Sequence, residues 1–187
     1  MSDVTVRVLG EEDWPTYRRI RLAALRESPA AFVSTFAEED DLDEDFWRIR
    51  MRRSTRLLAE RDGEAVGVAS VGDAKPVLGD GDTEIDGLAG EHVAEIFGMW
   101  VAPASRGSGV AWRLVEAAAA EAHRSDHSHL MLWVAVDNGR AVAFFSSYGF
   151  RPSDARRPMR TDETLTEMAM VLPVRDDPGA VPNSRAH

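Results

Sequence analysis

Glu95 to His123 reads EIFGMWVAPASRGSGVAWRLVEAAAAEAH, and the rest of the chain is organised around this stretch. It opens with an apolar run, Ile96 to Val101, of strand length and closed by Ala102-Pro103. Ala111, Leu114, Val115, Ala118 and Ala122 then recur at spacings of three and four, which places them on one face of a helix. Between the two lies Arg106-Gly107-Ser108-Gly109, where that helix must begin. The first N–H groups of a helix have no intrahelical partner, and the aligned peptide dipoles leave partial positive charge there. Glycines without Cβ let a bulky anion approach those groups, and Arg106 adds a full charge beside them. A strand, a glycine turn and a helix N-terminus in that order suit a phosphate cradle. The same residues also suit an ordinary glycine-capped connection.

The ligand class is narrowed by what is missing. A mononucleotide P-loop needs Gly-Lys-Ser/Thr at the end of the turn, and none follows Gly109. The dinucleotide fingerprint needs a small residue where Trp112 stands. Arg106-Gly107-Ser108-Gly109-Val110-Ala111 instead matches Arg/Gln-x-x-Gly-x-Gly/Ala. Downstream, His129 to Val136 reads as a buried strand. The segment Asp137 to Phe150 that follows is similar to Asn-x-x-Ala-x-x-x-Tyr-x-x-x-Gly-Phe, with Asn138, Ala141, Gly149 and Phe150 in place. On these two motifs the chain resembles the GNAT superfamily of acetyl-CoA-dependent N-acyltransferases. The resemblance spans roughly residues 4–172. It implies an α/β (α+β) fold: a mixed, mostly antiparallel sheet, splayed at its centre and flanked by helices.

The resemblance also implies a site. Residues 106–111 (Arg106, Gly107, Ser108, Gly109, Val110, Ala111) would hold the pyrophosphate of coenzyme A. The central strand would carry a bulge near Met99-Trp100. There the Met99 N–H would face the thioester oxygen and the Val101 backbone would pair with the pantetheine arm, with Trp100 beside the acyl group. Asn138 would hydrogen-bond the pantetheine region. Phe145 occupies the cofactor-lining position where the family usually has tyrosine, and phenylalanine has no proton to give the departing thiolate. Tyr148, one turn on, is a substitute acid or a packing residue. Most amines are protonated at pH 7, so a base is needed. Glu95 is the candidate, its alternative being a plain strand-end carboxylate.

The remainder of the chain bounds the reading. Its 187 residues fit one domain, 1–172, with a disordered tail at 173–187. A hydrophobic fraction of 44% with 29% charged residues is ordinary for a globular protein. There are no cysteines, so no disulfide or thiolate chemistry, and no signal-like N-terminus or apolar run of membrane-spanning length; a cytoplasmic location is expected. The net charge of −10 argues against a nucleic-acid partner; it mildly favours a cationic one, but on charge alone a generic solubility role is the better reading.

In chain order, Val4–Leu9 reads as a strand, followed by a helix with Asp13 as N-cap and Pro15 in its first turn. Residues 38–45, EEDDLDED, are either a solvated loop or an anionic wall of an acceptor pocket, ahead of a helix from Phe46 to Arg53. Asp62-Gly63 marks a hairpin between strands 56–60 and 65–71. Residues 72–91 form a long loop, residues 151–160 are basic with prolines, and 166–172 is a final strand. His123, His127 and His129 lack metal-ligand spacing, so no metal is expected.

The function expected is transfer of the acetyl group of acetyl-CoA to a primary amine of a small cationic molecule. A protein N-terminus or lysine is the second acceptor class. Phe145 keeps open a different class, a non-catalytic acyl-CoA-binding regulatory module. A homodimer is compatible with the sequence, and no membrane partner is expected.

Overall fold

The computed structural model describes residues 3–74, 85, 88 and 90–175. Within these, β1 (Thr5–Leu9) is followed by α1 (Trp14–Glu27), α2 (Phe36–Asp40), α3 (Glu44–Arg53), β2 (Thr55–Arg61) and β3 (Glu64–Asp73). Next come β4 (Val93–Val101), α4 (Val110–Arg124), β5 (His129–Ala135), α5 (Gly139–Tyr148), β6 (Arg151–Pro158) and β7 (Thr166–Pro173). The strands form one sheet in the order β1-β2-β3-β4-β5-β7-β6. Every pairing in it is antiparallel except β4 with β5, which is parallel. The sheet is thus mixed and mostly antiparallel, flanked by helices, as the resemblance implies.

Two apolar layers cover it. On one face α4 buries Val110, Leu114, Val115, Ala118 and Ala122 against Ala69, Ala94, Ile96 and Leu130. Four of these helix residues are those of the sequence periodicity; at the first turn Val110 is buried in place of half-buried Ala111. Gly67 lets the helix approach: a Cβ there would lie 2.9 Å from Val110 Cγ1 and 3.2 Å from the Trp100 carbonyl oxygen. On the other face Tyr17 and Ile20 of α1 and Trp47 and Met51 of α3 pack on Leu58, Val68 and Trp100.

Short-range chemistry sets the ends of these elements. Asp62 and Gly63 both have positive φ, 54° and 80°, as a tight twisted hairpin turn requires. Asp43 caps α3 by accepting from the Phe46 N–H at 3.0 Å, so this helix starts two residues before the expected Phe46. Asp13 precedes α1, but its carboxylate turns back to the Gly10 N–H at 2.8 Å and leaves the helix without a side-chain cap.

The acidic run 38–45 exposes most of its carboxylates, as a solvated segment requires, with Glu39 the exception. Its first residues lie in α2, which opens with Thr35 and Glu38 bonding each other's backbone N–H. Glu39, 2% exposed, takes Arg21 in a two-pronged pair at 2.8 and 3.0 Å and also Arg50 at 3.0 Å. Asp40 pairs with Arg18, and Glu44 with Arg48. Glu39 ties α2 to α1 and α3 and Asp40 ties α2 to α1, while every carboxylate of the run other than Glu39 remains exposed.

The basic segment after Phe150 is a strand, β6, that the sequence reading did not assign. It carries prolines because it is an edge strand, where a missing N–H costs no ladder bond. β3 and β7 also extend past their expected ends, to Asp73 and Pro173. Most of the expected long loop, and the expected tail from 176 on, lie outside the described residues.

Candidate active site

The centre of the sheet is interrupted twice. Ser70 pairs with Phe97 but Val68 pairs with Trp100, so Gly98 and Met99 together oppose the single residue Ala69. That is a bulge, and Gly98 sits in it at φ +60°, where a side chain would be strained. The extra residue reverses the alternation. Ile96 faces the α4 layer, whereas Trp100, four residues on, faces the α1 and α3 layer. Beyond the bulge Met99 and Val101 pack at the edge of the α4 layer.

The second interruption lies beside it. β4 and β5 pair only over Val93–Glu95 and His129–Met131, although both strands continue. Beyond Glu95 and Met131 they part, and the bulge forms one wall of the opening. Glu95 is half-buried at the last paired position. Ala94 and Ile96 are buried in the α4 layer, so strand alternation places Glu95 on the opposite face.

At the far end of β4 lies the glycine turn. Gly107 and Gly109 have φ of 74° and 86°, and no atom lies within 4 Å of where their Cβ would be. Gly109 is the N-cap of α4 and offers no side chain to cap it. The first intrahelical bond is Arg113 N–H to the Gly109 carbonyl, 3.1 Å, which leaves the N–H groups of Val110, Ala111 and Trp112 without helical acceptors. Open space above two glycines, in front of a helix N-terminus with unbonded donors, fits a phosphate group.

The cation at this turn that sequence reasoning missed is Arg61, at the end of β2. Its Nη2 donates to Ser108 Oγ at 2.9 Å, while Ser108 Oγ donates to the Ser105 carbonyl at 2.7 Å. No spacing signal links positions 61 and 108; only the sheet brings them together. Arg106, expected on the phosphate, donates from Nε to the Val101 carbonyl at 3.0 Å and from Nη2 to Glu27 at 2.8 Å. Glu27, also missed, accepts from the Trp100 indole N–H at 2.9 Å. Trp100 is 8% exposed, so its side chain belongs to the core while its backbone flanks the bulge.

The second motif divides similarly. Asn138 caps α5, its Oδ1 accepting from the Ala141 N–H at 3.1 Å. Phe145 is 8% exposed and packs edge-on against Phe144 and Phe150. Tyr148 packs against Trp112 with ring centroids 4.7 Å apart and planes tilted by 56°, and its centroid lies 6.0 Å from that of Phe150. Burial, reinforced by Glu116, raises the Tyr148 pKa, so its phenol keeps its proton at neutral pH. The structure thus gathers Glu95, Met99 and Val101 around the opening and residues 107–111 at its end. It holds the side chains of Trp100 and Phe145 in the core. Of the three histidines weighed as a group, His123 bonds the Val174 carbonyl and His129 bonds Ser128, and they do not converge.

Residues 14–150 match the family model described as the acetyltransferase (GNAT) family. Among solved structures, YncA from Salmonella typhimurium, determined with its cofactor acetyl-CoA, is 21% identical with a TM-score of 0.67, covering 97% of this chain and 99% of its own. The ribosomal-protein-alanine N-acetyltransferase of Brucella melitensis is 24% identical with a TM-score of 0.65, covering 90% of this chain and 99% of its own. A spermidine N-acetyltransferase chimera involving the Vibrio cholerae protein is 20% identical with a TM-score of 0.62, covering 92% and 96%. No curated protein matches the chain. At these identities the structures establish the fold.

Proposed function

The chain belongs to the GNAT acetyltransferase family, and from that premise we propose that it moves the acetyl group of acetyl-CoA to a primary amine. The observation that carries this reading is the parting of β4 from β5 immediately after Glu95, with a bulge on one wall and an open-faced glycine turn at the end of that wall. Acetyl-CoA supplies the activated acyl group as co-substrate, and the residues present fit it. The N–H groups of Val110, Ala111 and Trp112 and the Arg61 guanidinium face or flank the place for its pyrophosphate. The Met99 backbone, displaced from regular pairing, supplies a donor for the thioester oxygen. A fixed donor of this kind stabilises a developing oxyanion by about 3 kcal/mol.

Glu95 takes the proton of the incoming ammonium, directly or through one water, from the sheet face opposite the α4 layer. Tyr148, which retains its proton, returns one to the departing thiolate in place of the tyrosine that Phe145 replaces. The acceptor class we propose is a small cationic amine, drawn by the net charge of −10. The carboxylates of residues 38–45 contribute only to that overall field, since arginines occupy several of them.

Thiol release from acetyl-CoA across a panel of polyamines, amino sugars, amino acids and short peptides tests the proposal. Turnover on cationic small amines is expected, with Glu95→Gln lowering kcat about 100-fold and Tyr148→Phe lowering it less. Turnover confined to peptides would replace the acceptor class. No turnover on any amine, with acetyl-CoA still raising the melting temperature, would indicate a binding module instead.

A further inference from the structure

A second site lies at the opposite end of β4 from the glycine cradle. Asp73 ends β3, His92 immediately precedes β4, and His127 sits in the turn between α4 and β5. Their donor atoms all lie within 4.8 Å of one another. Asp73 Oδ1 is 2.8 Å from His127 Nε2 and 3.4 Å from His92 Nε2. Donor atoms on a tetrahedral ion at about 2.0–2.1 Å stand roughly 3.3 Å apart, so these separations are close to those a bound ion needs. The two imidazoles stack with centroids 4.0 Å apart and planes 16° from parallel, which sets their Nε2 atoms side by side toward the same carboxylate oxygen.

The backbone carrying these groups is fixed. The Ser128 N–H donates to the His92 carbonyl at 2.8 Å, the Ala74 N–H to the Val93 carbonyl at 2.9 Å, and the His127 N–H to the Ala122 carbonyl at 3.0 Å. His127 is only 6% exposed, and its Nδ1 is buried with no partner among the described residues. The imidazole is therefore held by packing, with Nε2 as its one engaged nitrogen. All three side chains line a cavity of about 440 Å³, which leaves room for water to complete a coordination shell.

We infer that Asp73, His92 and His127 form a binding site for a divalent transition-metal ion of the zinc type, separate from the acetyl-transfer cleft. Two imidazoles and one carboxylate favour zinc over magnesium or calcium, which prefer all-oxygen shells. The ion ties the two ends of the segment between β3 and β4 to the turn that starts β5. Its effect falls on stability, because the opening between β4 and β5 begins only past Glu95. No sequence spacing announces the site: the ligands come from three separated segments, and only His127 belonged to the group weighed from sequence.

Zinc binding to the metal-free full-length protein, followed by calorimetry and by thermal shift, is the test. Wild type should take up one zinc per chain and melt at a higher temperature with it. His92→Ala and Asp73→Asn alter exposed side chains, so they should stay folded by circular dichroism while losing at least about tenfold in affinity. His123→Ala and His129→Ala should bind as wild type does. Absence of stoichiometric uptake by wild type, or unchanged affinity in His92→Ala, would overturn the site. So would an equal loss in His123→Ala.

Discussion

A single oxygen, Glu27 Oε2, receives the Ser28 hydroxyl, the Trp100 indole N–H and the Arg106 guanidinium. These donors, with Ser28 and Trp100 contributing most, hold its pKa at about 2, against an ordinary 4.5. A carboxylate with a depressed folded-state pKa stabilises the fold fully above its unfolded value, and that contribution fades as pH falls through the folded one. The melting temperature of wild type should therefore exceed that of Glu27→Gln at pH 6, with the gap closing between about pH 4.5 and 2. A gap independent of pH over that range would show that the charge of Glu27 is not what matters. This clamp was illegible in sequence, because Glu27 meets Trp100 and Arg106 at sequence separations of 73 and 79. Arg106 was correctly noticed as a charge beside the turn, but which acid or phosphate it meets depends on where α1 ends.

The element that sequence described best is α4, with the turn before it. Its apolar spacing and its two glycines are local properties, and local properties survive folding. What holds the helix against the sheet is less visible: Gly67 on β3. Gly67→Ala would press on Val110 Cγ1, which can shift, and on the Trp100 carbonyl, which cannot. A loss of about 1–3 kcal/mol is expected from overpacking of this kind, measured as a lower denaturant midpoint, together with weaker acetyl-CoA binding as the helix N-terminus moves. Gly139→Ala, with nothing within 4 Å of the new methyl, is the control and should be neutral or slightly stabilising. A Gly67→Ala protein as stable as wild type would mean that the close contact does not govern the position of α4. Other elements were hidden for physical reasons. β6 is arginine- and proline-rich because it lies at an edge, and such a strand lacks the apolar run by which strands are recognised. α2 is one short turn inside an acidic run, stabilised by arginines from α1 and α3 rather than by its own periodicity.

For the molecule as a whole, one parallel pairing in an otherwise antiparallel sheet explains the site. β5 stays beside β4 for three residues and then parts from it, and the bulge at Gly98-Met99 lies on β4 just beyond the last paired position. The family resemblance carried by the two motifs implied the splayed sheet and the bulge, but not which pair of strands runs parallel. The acceptor side was not legible, since no local pattern in the sequence marks it. The central claim, acetyl transfer at this opening, is tested most directly by supplying acetyl-CoA labelled in its acetyl group to the amine panel. The product is then followed by mass spectrometry alongside free thiol. The account predicts labelled amide on one amine class, equal in amount to thiol released and strongly reduced in Glu95→Gln. Thiol released without amide, or acetyl-CoA bound without transfer to any amine, would contradict it.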